Sequence, residues 1–127
     1  MCSSDLAQAL LNGGELDGAR ILQPASVALM TANHLSPALL DGGFSAGVHR
    51  IRPGYGYGFN GAAIYDPALA GASAGAGTYQ WDGAAGTWFW IDPVNELVFI
   101  GMIQRMLQDG MPRFQELTQA LIADALR

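Results

Sequence analysis

The sequence predicts an α+β fold in which an antiparallel sheet is covered by a C-terminal helix. Three observations predict it. Apolar residues recur through segments between residues 78 and 104, glycine- and proline-containing turns divide those segments, and the last segment carries apolar residues at helical spacing. With 127 residues, half of them apolar and only 13% charged, the chain has the size of one domain and not the composition of a disordered tail.

The elements follow in order. Ser3 or Ser4 caps a short helix whose Leu6, Leu10 and Leu11 share a face, and Gly13-Gly14 ends it. Residues 15–22 read as a small hairpin turning at Asp17-Gly18, and Pro24 opens a second helix carrying Val27, Leu29 and Met30 that ends near Asn33 and His34. Residues 35–54, rich in Ser, Pro, Asp and Gly, read as a long surface loop. Residues 55–65 read as one strand with Tyr55, Tyr57 and Phe59 on one face, followed by an Ala/Gly/Ser loop over 68–77. Residues 78–81 and 87–91 form two strands across a glycine turn, and Asp92-Pro93-Val94-Asn95 turns into a third strand over 96–104. From Pro112, residues Phe114, Leu117, Leu121, Ile122, Ala125 and Leu126 make an amphipathic stripe expected to lie across the sheet.

Charge and cysteine content remove whole classes of mechanism. All six cations are arginine, Arg20, Arg50, Arg52, Arg105, Arg113 and Arg127, so the chain has no Schiff-base lysine, no P-loop lysine and no Ser-x-x-Lys nucleophile. A net charge of -5 argues against a nucleic-acid partner, whose binding is largely cation-driven. Cys2 is the single cysteine, so no disulfide closes within the chain, and Cys2, His34 and His49 are too few for a four-ligand zinc site. No metal or other cofactor is implied. The longest apolar run, residues 97–103, is far short of the roughly 20 residues that span a bilayer, and no positively charged segment opens the chain as in a signal peptide. The compartment stays open.

Two stretches match Gly-x-Ser-x-Gly, around Ser45 and Ser73. With 17 Gly and 6 Ser, chance supplies about 0.1 match per chain, and neither serine sits in the strand-turn-helix setting that lifts a nucleophile above a sheet. His34 and His49 complete a triad with either serine and any of eight aspartates, and spacing selects none of these combinations. Asp82 stands amid aromatics, where an ordinary hairpin aspartate is the plainer reading. The aromatic residues Tyr79, Trp81, Trp88, Phe89 and Trp90 line a pocket or pack a core; alternation sends Trp88 and Trp90 to one face and Phe89 to the other.

Taken together, Leu10-Leu11-Asn12-Gly13-Gly14-Glu15-Leu16-Asp17-Gly18, Ile21-Leu22-Gln23-Pro24-Ala25-Ser26-Val27, the Gly54 to Phe59 segment, Trp81-Asp82-Gly83-Ala84-Ala85-Gly86-Thr87 and Asp92-Pro93 resemble the C-terminal part of serine β-lactamase-like hydrolases. The nearest branch is similar to family VIII carboxylesterases and class C-like proteins. The likeness runs over nearly the whole chain and implies a partial domain, residues 1–127, whose N-terminal part with the nucleophile is missing. That family needs a Ser-x-x-Lys helix and a Tyr-x-Asn type loop, and this sequence has neither.

The family's third element, Lys-Thr-Gly on a strand beside the nucleophile, corresponds by resemblance to Trp81-Asp82-Gly83, close to the Trp-Gly-Gly of esterase-like members, with Asp82 a departure. The resemblance makes these three residues substrate-binding and makes the backbone N–H of Ala84 one of two oxyanion donors. With Trp81 in place of a cation, the anchor for a β-lactam carboxylate is gone and an apolar wall remains. Asp82 is expected to repel anions further, so an ester suits the site better than a β-lactam.

The leading expectation is therefore a segment of a serine hydrolase that acts on a small ester or amide and is inactive alone. A non-catalytic binding or assembly module is the rival, and a self-sufficient esterase using Ser45 or Ser73 ranks below both. The resemblance also implies that the last strand pairs with an N-terminal strand not in this chain. Its bare edge then favours contact with the missing N-terminal part or self-association.

Overall fold

The computed structural model describes residues 2–46, 49–106 and 111–127. Helix α1 (Ser3–Leu11) leads into a two-residue hairpin, β1 (Glu15–Leu16) with β2 (Ala19–Arg20), then into α2 (Pro24–Thr31) and α3 (Pro37–Gly42). A second small hairpin, β3 (Ser45–Ala46) with β4 (His49–Arg50), precedes β5 (Tyr55–Tyr57) and β6 (Ala62–Ile64). After α4 (Pro67–Ala70) come β7 (Tyr79–Gly83), β8 (Thr87–Asp92), β9 (Leu97–Met102) and α5 (Phe114–Ala125). Strands β5 to β9 form one antiparallel sheet in sequence order.

The register assigns the two faces of the sheet. Trp81 pairs with Phe89 and Phe89 with Ile100, whereas Asp82 pairs with Trp88 and Trp88 with Gly101. Directly opposed residues share a face, so Trp81, Phe89 and Ile100 lie on one side and Asp82 and Trp88 on the other. Helix α1 covers the first side, where Ala7 and Leu10 join Val27, Tyr79 and Ile91 in a core, with Phe89, Val98 and Ile100 packed against it. Burying one such large apolar side chain contributes about 1.5–3 kcal/mol, which is what holds α1 on the sheet. A second core gathers Ile51, Tyr55, Ala62, Ile64 and Ala74 around β5 and β6.

Helix α5 lies on the Trp88 side. Phe114 stacks on Trp88 with ring centroids 5.0 Å apart, and Thr118 Oγ1 accepts hydrogen bonds from the indole N–H groups of Trp90 (3.1 Å) and Trp88 (3.4 Å). One position further, Gln119 Nε2 donates to Gln80 Oε1 at 2.7 Å, with both side chains buried. The helix therefore meets the sheet through a hydroxyl and an amide as well as through Phe114. Leu117, Leu121 and Leu126, part of the expected apolar stripe, are instead exposed. The periodicity identifies a helix correctly, but hydrogen-bond demand from two buried indoles and Gln80 sets its rotation.

Four further expectations are corrected. Cys2, and neither Ser3 nor Ser4, is the N-cap of α1; Asp5 reaches back to accept from the Cys2 N–H at 2.8 Å, and that bond holds the Asp5 carboxyl below its usual range. The loop expected over residues 35–54 contains α3 and the β3–β4 hairpin. The single strand expected over 55–65 breaks into β5 and β6 because Asn60 adopts a positive φ of 62° and closes a turn. The neighbouring Gly61 lies so close to the ring of Tyr79 that a Cβ there would meet it at 2.5 Å. Tyr79 in turn donates its hydroxyl to Phe59 O at 2.7 Å, pinning the turn to β7. Lastly, the loop expected over 68–77 begins with α4, which Asp66 caps through Leu69 N–H at 2.9 Å.

The turn between β8 and β9 rests on one buried carboxylate. Asp92, 1% exposed, accepts from the backbone N–H of Val94 (2.9 Å) and Asn95 (3.1 Å), from Asn95 Nδ2 (2.8 Å) and from Gly75 N–H (2.8 Å). These four donors satisfy the charge and tie the 71–77 loop to the sheet.

Candidate active-site wall

Trp81, Asp82 and Gly83 form the last three positions of β7. Strand β6 pairs with β7 only at Tyr79 and Gln80, so these three residues project past its end, while β8 pairs with them throughout. Ala84 follows in an exposed turn closed by Gly86 N–H to Gly83 O at 3.0 Å. Gly86 has a φ of +86°, and a Cβ there would meet Arg105 O at 2.5 Å, so the tight hairpin requires glycine at that position.

Trp81 is half-buried and held edge-on by Tyr57, ring centroids 5.5 Å apart, with Phe44 tilted against Tyr57 at 5.8 Å. Asn33 Oδ1 in turn accepts from Tyr57 N–H (3.1 Å) and Leu35 N–H (2.9 Å), which fixes the start of this aromatic row. Tyr57 is a supporting residue that sequence reasoning missed; its place in the Gly-Tyr segment was visible, but its contact with Trp81 depends on the β5–β6 turn.

Beside Trp81 opens a cleft of about 410 Å³. Leu6, Ala7 and Leu10 of α1 form one wall, and Phe89, Ile100 and Met102 of the sheet form the other. Ser3 and Thr87 stand among the lining residues as the nearby hydroxyls. Asp82, with its cross-strand partner Trp88, also lines the cleft. Burial raises the pKa of Tyr79, which underlies this region, above its ordinary value of 10.0.

The other residues singled out by sequence lie elsewhere. Ser73 is exposed in the loop before β7. Ser45 and His49 sit on the β3–β4 hairpin, whose side chains, like Gly47 of the first Gly-x-Ser-x-Gly motif, lie outside the described residues. Neither serine follows a strand that turns into a helix. His34 is exposed, stacks on Phe59 at 4.8 Å and contacts Leu29 O through Nε2 at 2.6 Å. Among the described residues no group of three His, Cys, Asp or Glu side chains is placed to hold a metal ion, and no helix is long and apolar enough to cross a membrane.

The β-lactamase family profile matches residues 1–123. The chain belongs to the β-lactamase family. Protein Rv1367c of Mycobacterium tuberculosis is 36% identical over 98 residues, covering 75% of this chain and 24% of that protein. Among solved structures, EstCE1, a hydrolase with promiscuous acyltransferase activity, is 27% identical and superimposes with a TM-score of 0.70 over 93% of this chain and 28% of its own. A penicillin-binding protein homolog from Caulobacter crescentus shares the fold, with a TM-score of 0.61 at 22% identity over 93% of this chain and 30% of its own. The chain thus spans about a quarter of the length of these relatives. Its sheet and helices are those of the C-terminal part of a β-lactamase-like serine hydrolase fold.

Proposed function

We propose that this chain is one wall of an acyl-transfer site in an esterase-like serine hydrolase and does not turn over alone. In this reading Trp81, Asp82 and Gly83 border a small ester or amide substrate, and the backbone N–H of Ala84 donates to the developing oxyanion. The nucleophile and its lysine lie in a part of the protein outside these residues. The observation that carries the reading is that Trp81–Gly83 project past the end of β6 beside an apolar cleft, in a chain without lysine. An apolar wall where the family carries a cation suits an uncharged ester. The hydrolase and acyltransferase activity of EstCE1 supports the same reaction class.

The test is intact-mass analysis after incubation with a fluorophosphonate, alongside a chromogenic short-chain ester assay and sequencing of the coding region upstream. The expected result is no adduct, no turnover and an upstream Ser-x-x-Lys segment. One adduct on Ser45 or Ser73 with turnover would make the chain a self-sufficient esterase and overturn the reading.

The outer edge of β9 favours a second property. Its six residues, Leu97–Met102, carry no charge and end the sheet among the described residues. Exposed edges are normally blunted by charge or proline, so this one is suited to pairing with the missing N-terminal part or with another copy.

A further inference from the structure

We infer that the β5–β6 turn carries a site of spontaneous covalent modification, Asn60-Gly61, which deamidates in the folded chain while the second Asn-Gly pair, Asn12-Gly13, is held unreactive by its hydrogen bonds. The inference is independent of the acyl-transfer reading.

The chemistry needs water and no other reactant. The backbone nitrogen of the glycine gives up its proton to solvent base and attacks the side-chain amide carbon of the asparagine. Ammonia leaves and a five-membered succinimide closes; water then opens that ring at either carbonyl, giving aspartate or isoaspartate. Glycine after asparagine favours the step, because it has no Cβ to obstruct the rotation that brings nitrogen and carbon together. Two such pairs occur in the sequence, at Asn12-Gly13 and Asn60-Gly61.

Both asparagines are exposed, so access to water does not separate them. Hydrogen bonding does. At the end of α1, Gly13 N–H donates to Leu10 O at 3.1 Å, and Asn12 Oδ1 accepts from Gln8 Nε2 at 3.0 Å, so the attacking nitrogen and the amide it must reach are both committed. The Arg20 guanidinium holds Gly13 O at 3.1 Å and resists rotation of the glycine as well. At Asn60, neither the side-chain amide nor Gly61 N–H has a hydrogen-bond partner among the described residues. Breaking the Gly13 and Gln8 bonds before attack slows Asn12 about tenfold or more relative to Asn60.

The product reaches the candidate wall. Aspartate tolerates the positive φ of 62° at position 60, so that branch keeps the turn and adds one negative charge. Isoaspartate instead inserts a backbone methylene between Phe59 O, held by the Tyr79 hydroxyl at 2.7 Å, and Gly61 O, held by Gly58 N–H at 2.8 Å. Tyr57, at the foot of this turn, is the ring set edge-on to Trp81.

The test incubates the 127-residue chain in mildly alkaline buffer, with and without urea, and follows the mass increase of deamidation by tandem mass spectrometry of tryptic peptides. Cleavage after Arg20 and Arg50 places Asn12 and Asn60 in different peptides, and fragment ions separate Asn60 from Asn95. In the folded chain Asn60 is expected to convert about tenfold or more faster than Asn12, and in urea the two rates should converge. Gln8→Ala, a substitution that suits a helix, should speed Asn12 about threefold and leave Asn60 unchanged. Equal rates in the folded chain, faster loss of Asn12, or a Gln8→Ala variant whose Asn12 rate does not move would overturn the inference.

Discussion

The contact between Gln80 and Gln119 gives a sharp prediction because its two halves respond differently to removal. The amide bond of 2.7 Å lies between side chains 6% and 2% exposed, beneath α5. Gln80→Leu leaves the whole Gln119 amide buried with its donor unmet, at a cost of about 1–3 kcal/mol. Gln119→Leu strands Gln80 Oε1 but also deletes Gln119 Oε1, a buried acceptor that has no hydrogen-bond partner among the described residues, so its cost falls toward ~1 kcal/mol. The double substitution replaces two amides by apolar groups of similar shape and should come within about 1 kcal/mol of the parent protein. A 2 kcal/mol loss in a chain of this size lowers Tm by about 8 °C. Urea and thermal unfolding of the four proteins, followed by tryptophan fluorescence at fixed protein concentration, measures the cycle. If the double variant is destabilised by the sum of the singles, the buried amide pair does not carry the coupling and the reasoning fails.

Asp92→Ala should cost more than about 3 kcal/mol, since four donors lose a common buried acceptor, and near-UV circular dichroism should show tertiary structure lost. Glu116→Gln should cost at most about 1 kcal/mol, because the Arg52 and Arg113 pairs are more than a third exposed; the loss should shrink in 0.5 M salt. Tyr55 and Tyr79 have raised pKa values because burial disfavours their phenolates. Their contribution is therefore fully present below the unfolded tyrosine value near 10 and is lost as pH rises through the folded values, so unfolding midpoints should fall above about pH 10 and fall less in Tyr79→Phe. Through the bare β9 edge the isolated chain should self-associate, and light scattering that reports a monomer of ordinary stability would refute this.

Much of this architecture is legible in the residues, and the parts that are not share a cause. The strands at Trp81, Phe89 and Ile100 show because their apolar residues must be buried, and the turns at Gly86 and Asp92 show because only those residue types satisfy them. The break at Asn60 does not show, since a positive φ at asparagine leaves no periodic trace. Nor does the outward placement of Leu117 and Leu121, because amphipathic spacing registers hydrophobicity and not the hydrogen bonds owed to Trp88 and Trp90. At the candidate site, Trp81 through Ala84 are singled out by order and likeness alone. Tyr57, Ile100 and Met102 reach the same place only through folding.

Thr118 works as an angular index for α5. Grease on grease lets a helix roll several degrees with little change in energy, but a hydroxyl shared by two indoles has a direction, and a turn of one residue would swing it out of reach of both. Leu117, Leu121 and Leu126 are aimed outward by that lock, and isosteric Thr118→Val would free the helix to rotate them inward while each leucine remained in place.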